Sequence, residues 1–113
     1  HQVKILPGNV YFISAGLDRK LKLIEIDTGE EIRSFIGHTN LINSISLAPS
    51  GDRFITSSLD GTIRIWDIAS GLQVRKITAH PPGAYSAVFD PSGKYIISGG
   101  DDFMVKLWDA TTG

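Results

Sequence analysis

Two sets of side chains in this sequence hold the ingredients of acyl-transfer chemistry. His38, Thr56 and Asp60 make one set, and His80, Ser98 and Asp102 the other. An imidazole that takes a proton from a hydroxyl, with a carboxylate orienting the ring, is the arrangement of a hydrolase triad. The spacing argues against that use. The second set is the first displaced by 42 residues, whereas a catalytic site is normally built once. No Gly-x-Ser-x-Gly elbow is present to hold a hydroxyl in the open. No metal is expected either: His1, His38 and His80 are dispersed, cysteine is absent, and Asp101 beside Asp102 offers too few oxygen ligands. No phosphate loop or dinucleotide fingerprint occurs, so no cofactor is expected.

The displacement by 42 runs through the whole chain without a gap. It superposes Asp18, Asp60 and Asp102, then Pro7, Pro49 and Pro91, then Gly29, Gly71 and Gly113. Trp66-Asp67 falls on Trp108-Asp109, and Ile13, Ile55 and Ile97 align. A fixed period of this size marks a repeat architecture. Within each repeat the elements that must position the polar sets are short strands. Val3-Lys4-Ile5 and Ile45-Ser46-Leu47 alternate, and Pro49-Ser50-Gly51-Asp52 and Pro91-Ser92-Gly93-Lys94 are turn sequences. Phe54-Ile55-Thr56 and Tyr95-Ile96-Ile97-Ser98 carry the aromatic and β-branched residues that strands favour. Asp60-Gly61 signals a hairpin, after which Thr62 to Trp66 alternates again. Gln73 to Ile77 and Glu31 to Phe35 read as a fourth strand. The pattern predicts eleven strands, four in 1–36, four in 43–77 and three in 84–109, with essentially no helix.

Gly37-His38 followed by Trp66-Asp67, then Ala79-His80 followed by Trp108-Asp109, resembles the WD40 repeat. The first repeat departs from that pattern, with Ile24-Glu25 in place of Trp-Asp. The resemblance implies an all-β fold, a partial β-propeller of WD40-type four-stranded antiparallel blades, about 2.75 of them. Its units would be 1–36, an atypical blade, 37–78, and 79–113, a blade lacking its outermost strand. It also implies a structural use for the polar sets. His38, Thr56, Asp60 and Trp66 would form a hydrogen-bonded network inside one blade, and His80, Ser98, Asp102 and Trp108 inside the next. Ser14 and Asp18 are what the first repeat keeps of it.

Charge and composition narrow the partners. Twelve acidic and 11 basic residues give a net charge of −1, which disfavours nucleic acid and anionic lipid as general ligands. No apolar run approaches the roughly 18 residues that span a bilayer, so membrane insertion is not expected. With no cysteine, disulfides are excluded, and an intracellular setting is expected, whether cytoplasmic, nuclear or ciliary. Lys22, Arg64 and Lys106 share one register and read as solvated cations whose stems cover apolar neighbours. Arg19, Lys20 and Lys22 make a local basic cluster, offset by Asp18 and Glu25.

The functional expectation follows from the resemblance. Such repeats mostly hold proteins or peptides on the loops of a propeller face, so the chain reads as a non-catalytic scaffold or recognition module. The family's face positions correspond to Leu17, Leu41, Asn43, Leu59, Tyr85 and Asp101, with His1 and Gly83 at the remaining two. An exposed Tyr85 would serve as an anchor and Asp101 would receive a cation. The alternative is recognition of phosphate groups, from nucleic acid or a lipid headgroup, by a propeller surface. Closed propellers have about 4–8 blades, so the remaining blades of a larger parent chain, or further chains, are expected to complete the ring. The parent chain is the favoured source.

Overall fold

The computed structural model describes residues 2–8, 10–16 and 19–111. The described residues form eleven strands and no helix, in three antiparallel sheets. The first sheet runs in sequence order through β1 (Gln2–Ile5), β2 (Tyr11–Ala15), β3 (Leu21–Glu25) and β4 (Glu31–Phe35). The second contains β5 (Ile42–Leu47), β6 (Arg53–Ser58), β7 (Thr62–Asp67) and β8 (Gln73–Thr78). The third contains β9 (Ala84–Phe89), β10 (Tyr95–Gly100) and β11 (Val105–Asp109). This is the all-β arrangement expected of a partial propeller. Short turns allow only up-and-down pairing of consecutive strands.

The 42-residue period extends to details of register. The irregularity between Leu23 and Ile24 recurs between Ile65 and Trp66, so strands β4 and β8 leave their neighbours in the same way. β1, β5 and β9 lie side by side as the inner strands, and the sheets stack through their faces. Period-two alternation decides which residues meet. Ile13, Leu21, Leu23 and Phe35 of the first sheet are buried against Ile42, Ile45, Phe54 and Trp66 of the second. Ile55, Ile63, Ile65 and Ile77, on the second sheet's other face, are buried against Ala84, Ala87 and Ile96 of the third. Phe35 sits edge-on to Phe54, with ring centroids 4.9 Å apart, and Trp66 stacks beside Phe54 at 6.3 Å. Each fully buried isoleucine or phenylalanine stabilises such a contact by about 1.5–3 kcal/mol.

Candidate functional site

In the second sheet, strand alternation puts Thr56 on the same face as Phe54, and Trp66 lies directly across from Phe54 on β7. The loop before β5 lays His38 over this pair, and the β6–β7 turn brings up Asp60. His38 Nδ1 is 2.8 Å from Asp60 Oδ2, and His38 Nε2 is 2.6 Å from Thr56 Oγ1. Trp66 Nε1 donates to the same hydroxyl oxygen at 3.0 Å. The donors fix the order of the chain. The carboxylate can only accept, so Nδ1 carries the proton, and Thr56 donates to Nε2 while accepting from the indole. Burial pushes the His38 pKa below its usual 6.5, against the pull of Asp60, which keeps the ring in this neutral form.

Asp60 is the hub. Its desolvation is outweighed by hydrogen bonds from the Thr62 hydroxyl, His38, and the Thr62 and Thr39 amides, so its pKa falls to about 2. The two amide bonds are 2.8 and 3.1 Å long. The third sheet repeats the geometry with Ser98 for Thr56. His80 Nδ1 is 2.7 Å from Asp102, His80 Nε2 is 2.7 Å from Ser98 Oγ, and Trp108 Nε1 donates to Ser98 at 2.8 Å. The His80 hydrogen bond, aided by Lys106 and the Met104 amide, lowers the Asp102 pKa to about 2 against desolvation. In the first sheet Ser14 is half-buried on β2 and Ile24 stands at the tryptophan position. Asp18 lies outside the described residues.

The hydroxyls of Thr56 and Ser98 are thus enclosed, each bound on two sides. A nucleophile needs a free approach path and a base poised to take its proton. Here the imidazole stands where such a base would, but the approach path is closed: each hydroxyl is buried inside its sheet and the indole covers its other side.

The cation register differs from the sequence expectation. Arg64 is buried rather than solvated. Its guanidinium lies 3.7 Å from Asp60, and it donates to Thr62 Oγ1 at 3.2 Å and to Gln73 Oε1 at 3.0 Å. Gly37 makes room for it: a Cβ there would come within 2.3 Å of the guanidinium and 2.9 Å of the Trp66 ring. Lys106 is shorter and half-buried, pairs with Asp102 at 3.1 Å, and donates to the Ala79 carbonyl at 2.7 Å. Alanine therefore fits where the preceding repeat requires glycine. Lys22 pairs with Glu31 at 3.5 Å. The mechanism is clear: a longer, planar cation can lie along the sheet and share the turn carboxylate, while its neighbours satisfy its remaining N–H groups.

The expected face residues gather at the starts of β5 and β9. Asn43 donates to the Ala84 carbonyl at 2.8 Å, and the Leu59 amide donates to Leu41 at 2.9 Å. A Cβ on Gly83 would meet Asp101 at 2.8 Å and Leu59 at 3.2 Å, so both side chains border that glycine. The Asp101 carboxylate beside Tyr85 holds the tyrosine pKa above its usual 10.0. Tyr85 is 52% exposed, whereas Leu41, Leu59 and Asp101 are half-buried. Leu17 and His1 lie outside the described residues.

Two features escaped the sequence reading. Arg33 donates to the Ala69 carbonyl and Arg75 to the Thr111 carbonyl, each reaching from the fourth strand of one sheet to the outer turn of the next. Their 42-residue spacing was the available signal. A groove of about 430 Å³ also lies between the first sheet and the following loop, lined by Arg19, Lys20, Lys22, Glu31 and the segment Ser34 to His38. Among the described residues no cluster of three or more His, Asp or Glu side chains is placed to hold a metal, and no helix is long and apolar enough to cross a membrane.

The family model for the WD domain, G-beta repeat, matches residues 29–67 and 71–109. The chain belongs to the WD40 repeat family. No curated protein matches it. Each matched WD40 segment is out of phase with the sheets by one strand: 29–67 begins with β4 of the first sheet and ends with β7 of the second. A WD40 repeat here therefore lends its first strand to the preceding sheet. WD40 repeats generally serve as non-catalytic protein-interaction scaffolds.

Proposed function

We propose that this chain is a non-catalytic recognition module that holds a partner protein or peptide on the cluster Leu41, Asn43, Leu59, Tyr85 and Asp101. The carrying observation is the contrast between two groups of polar residues. Both His–Asp–hydroxyl sets are consumed internally, while Tyr85 stands half-exposed with the Asp101 carboxylate beside it. A tyrosine brings a large contact area with only two side-chain torsions to fix, which is why such residues anchor interfaces. A partner offering an apolar slot for the ring and a cation for Asp101 fits this site. The test is affinity capture with the wild type and with Leu59→Asp/Tyr85→Ala. Partners retained equally by both proteins would refute the assignment, as would a partner whose binding depends instead on Asp60.

One observation favours the phosphate alternative: three cationic side chains line the groove beside the first sheet. Phosphate contacts release counterions, so that reading requires affinity to fall steeply with salt. A flat salt dependence with an RNA or phosphoinositide probe rejects it.

A further inference from the structure

The 42-residue period makes the two sheet-to-sheet interfaces comparable position by position, and they differ at one place. At the end of the sheets away from Tyr85 and Asp101, the first interface is filled by Leu6, Leu23, Leu47 and Ile68, which lie in or against one apolar cluster. The equivalent positions at the second interface are Ala48, Ile65, Phe89 and Ala110. Two large aliphatic side chains are thus exchanged for alanine, and Phe89 in place of Leu47 restores only part of the lost bulk. A pocket of about 260 Å³ opens there, lined by all four residues, between the turn after β5 and the turn after β9. Both of its walls lie inside the chain. Ala48, Pro49 and Ile65 come from the second sheet and its first turn, and Phe89, Ser92 and Ala110 from the third.

The rim adds charge to this apolar floor. Asp52 accepts a hydrogen bond from the Ser50 hydroxyl. Arg53 stands where the first repeat has Tyr11, is exposed, and forms no ion pair among the described residues. We propose that this pocket binds a leucine or isoleucine side chain presented by an acidic peptide, at the opposite end of the sheets from the Tyr85 cluster. The occupant is argued from the chain itself. Leu6 and Ile68 show what kind of side chain fills this place, and the unpaired guanidinium of Arg53 takes a carboxylate beside it. Pro49, Ser50 and Ser92 are exposed along the two turns, so a peptide laid across them can lower one side chain between the sheets. An apolar anchor with one charged contact at the rim fixes the register of such a peptide.

The methyl resonances of Ala48, Ile65 and Ala110 report on the pocket directly. The probes are synthetic peptides with leucine or isoleucine between two glutamates, and matching peptides with alanine at the centre or lysines as flanks. The aliphatic acidic peptides are expected to shift these methyls saturably. The alanine peptide should bind at least about tenfold more weakly, from the lost apolar burial. The lysine-flanked peptide should also bind more weakly, and Arg53→Gln should weaken the acidic peptides by about threefold. Ala48→Leu/Ala110→Ile rebuilds the filling of the first interface, so it should abolish the Ile65 shift while the protein still unfolds cooperatively in urea. Ala110→Ile alone guards against overpacking by Phe89. Pocket methyls that stay still with the leucine and isoleucine peptides, or that shift equally with the alanine peptide, would overturn the proposal. So would a folded, filled variant that binds like the wild type.

Discussion

Replacing Thr56 by valine separates hydrogen bonding from hydrophobic burial at the centre of the site. Valine keeps the β-branched shape and turns a buried hydroxyl into a methyl. If Thr56 were only a packing residue, the change would stabilise the chain by about 1 kcal/mol, since one more apolar group leaves water. The structure demands the opposite sign. Thr56 is fully buried and Trp66 is 1% exposed, so water cannot replace the lost hydroxyl. Trp66 Nε1 loses its 3.0 Å acceptor and His38 Nε2 its 2.6 Å donor. Each of the two stranded buried groups costs about 1–3 kcal/mol, so after the apolar gain the net loss is about 1–5 kcal/mol. Thr56→Ser keeps the hydroxyl and loses one methyl, at about 1 kcal/mol. The two variants therefore differ in a second readout: the indole N–H resonance of Trp66 stays near its wild-type position in Thr56→Ser and moves in Thr56→Val. The assay is equilibrium urea unfolding at one fixed protein concentration, followed by tryptophan fluorescence and circular dichroism. A Thr56→Val protein at least as stable as the wild type refutes the reasoning. Ser98→Ala in the third sheet should cost less, because Trp108 is half-buried and its N–H can turn toward solvent.

Acid should destabilise the chain in two stages. The depressed pKa of His38 means that the unfolded chain takes up a proton more readily, so stability falls as pH drops below 6.5. The carboxylates of Asp60 and Asp102, held near 2 instead of 3.8, contribute stability that is complete above the unfolded value and is lost as pH falls from there toward 2. Asp60→Asn should flatten the lower stage in melts recorded across pH, and an unchanged slope would contradict the assignment. Gly100→Ala should cost about 3 kcal/mol or more, because its Cβ would lie 2.3 Å from His80 Cβ and 2.4 Å from the Gly83 carbonyl in a packed corner; a shift under 1 kcal/mol in urea unfolding would rule this out. Phe103→Gly should stabilise by about 1 kcal/mol, because Phe103 holds a φ of 61° at the turn position where Gly61 stands, yet is 99% exposed and loses no burial; a lower unfolding midpoint would show a hidden contact.

The eleven strands and the paired polar sets are legible in the sequence because they depend on local, repeated chemistry. Turn residues close each hairpin and alternation assigns each side chain to a face, so a period of 42 carries the same solution forward. What was not legible depends on the neighbouring sheet. Lys22 and Arg64 have the same charge at the same register, yet one bonds Glu31 near the surface and the other is buried beneath Gly37. The difference lies in residues contributed by another strand and loop. Leu59 is half-buried because Gly83, in the next repeat, approaches it. Tyr85 on β9 and Asp101 in the turn after β10 are likewise brought together beside the irregular register at Gly99 and Gly100. Each of these contacts joins residues from different strands or loops, so the pattern of no single element contains both partners.

The sheets are bound to one another by more than apolar faces. Each WD40 repeat gives its first strand to the preceding sheet, so the chain itself crosses every interface. Near the inner strands, Asn43 bonds the Ala84 carbonyl. At the outer turns Arg33 and Arg75 reach across to Ala69 and Thr111. The isoleucine-rich layer between lies enclosed by these polar contacts, so one sheet cannot separate without exposing apolar surface and stranding several donors together. Coupling of this kind makes neighbouring repeats unfold as a unit rather than singly. It also holds the starts of β5 and β9 in fixed relation, and that relation positions Leu59, Tyr85 and Asp101 as a single surface although they come from two different sheets.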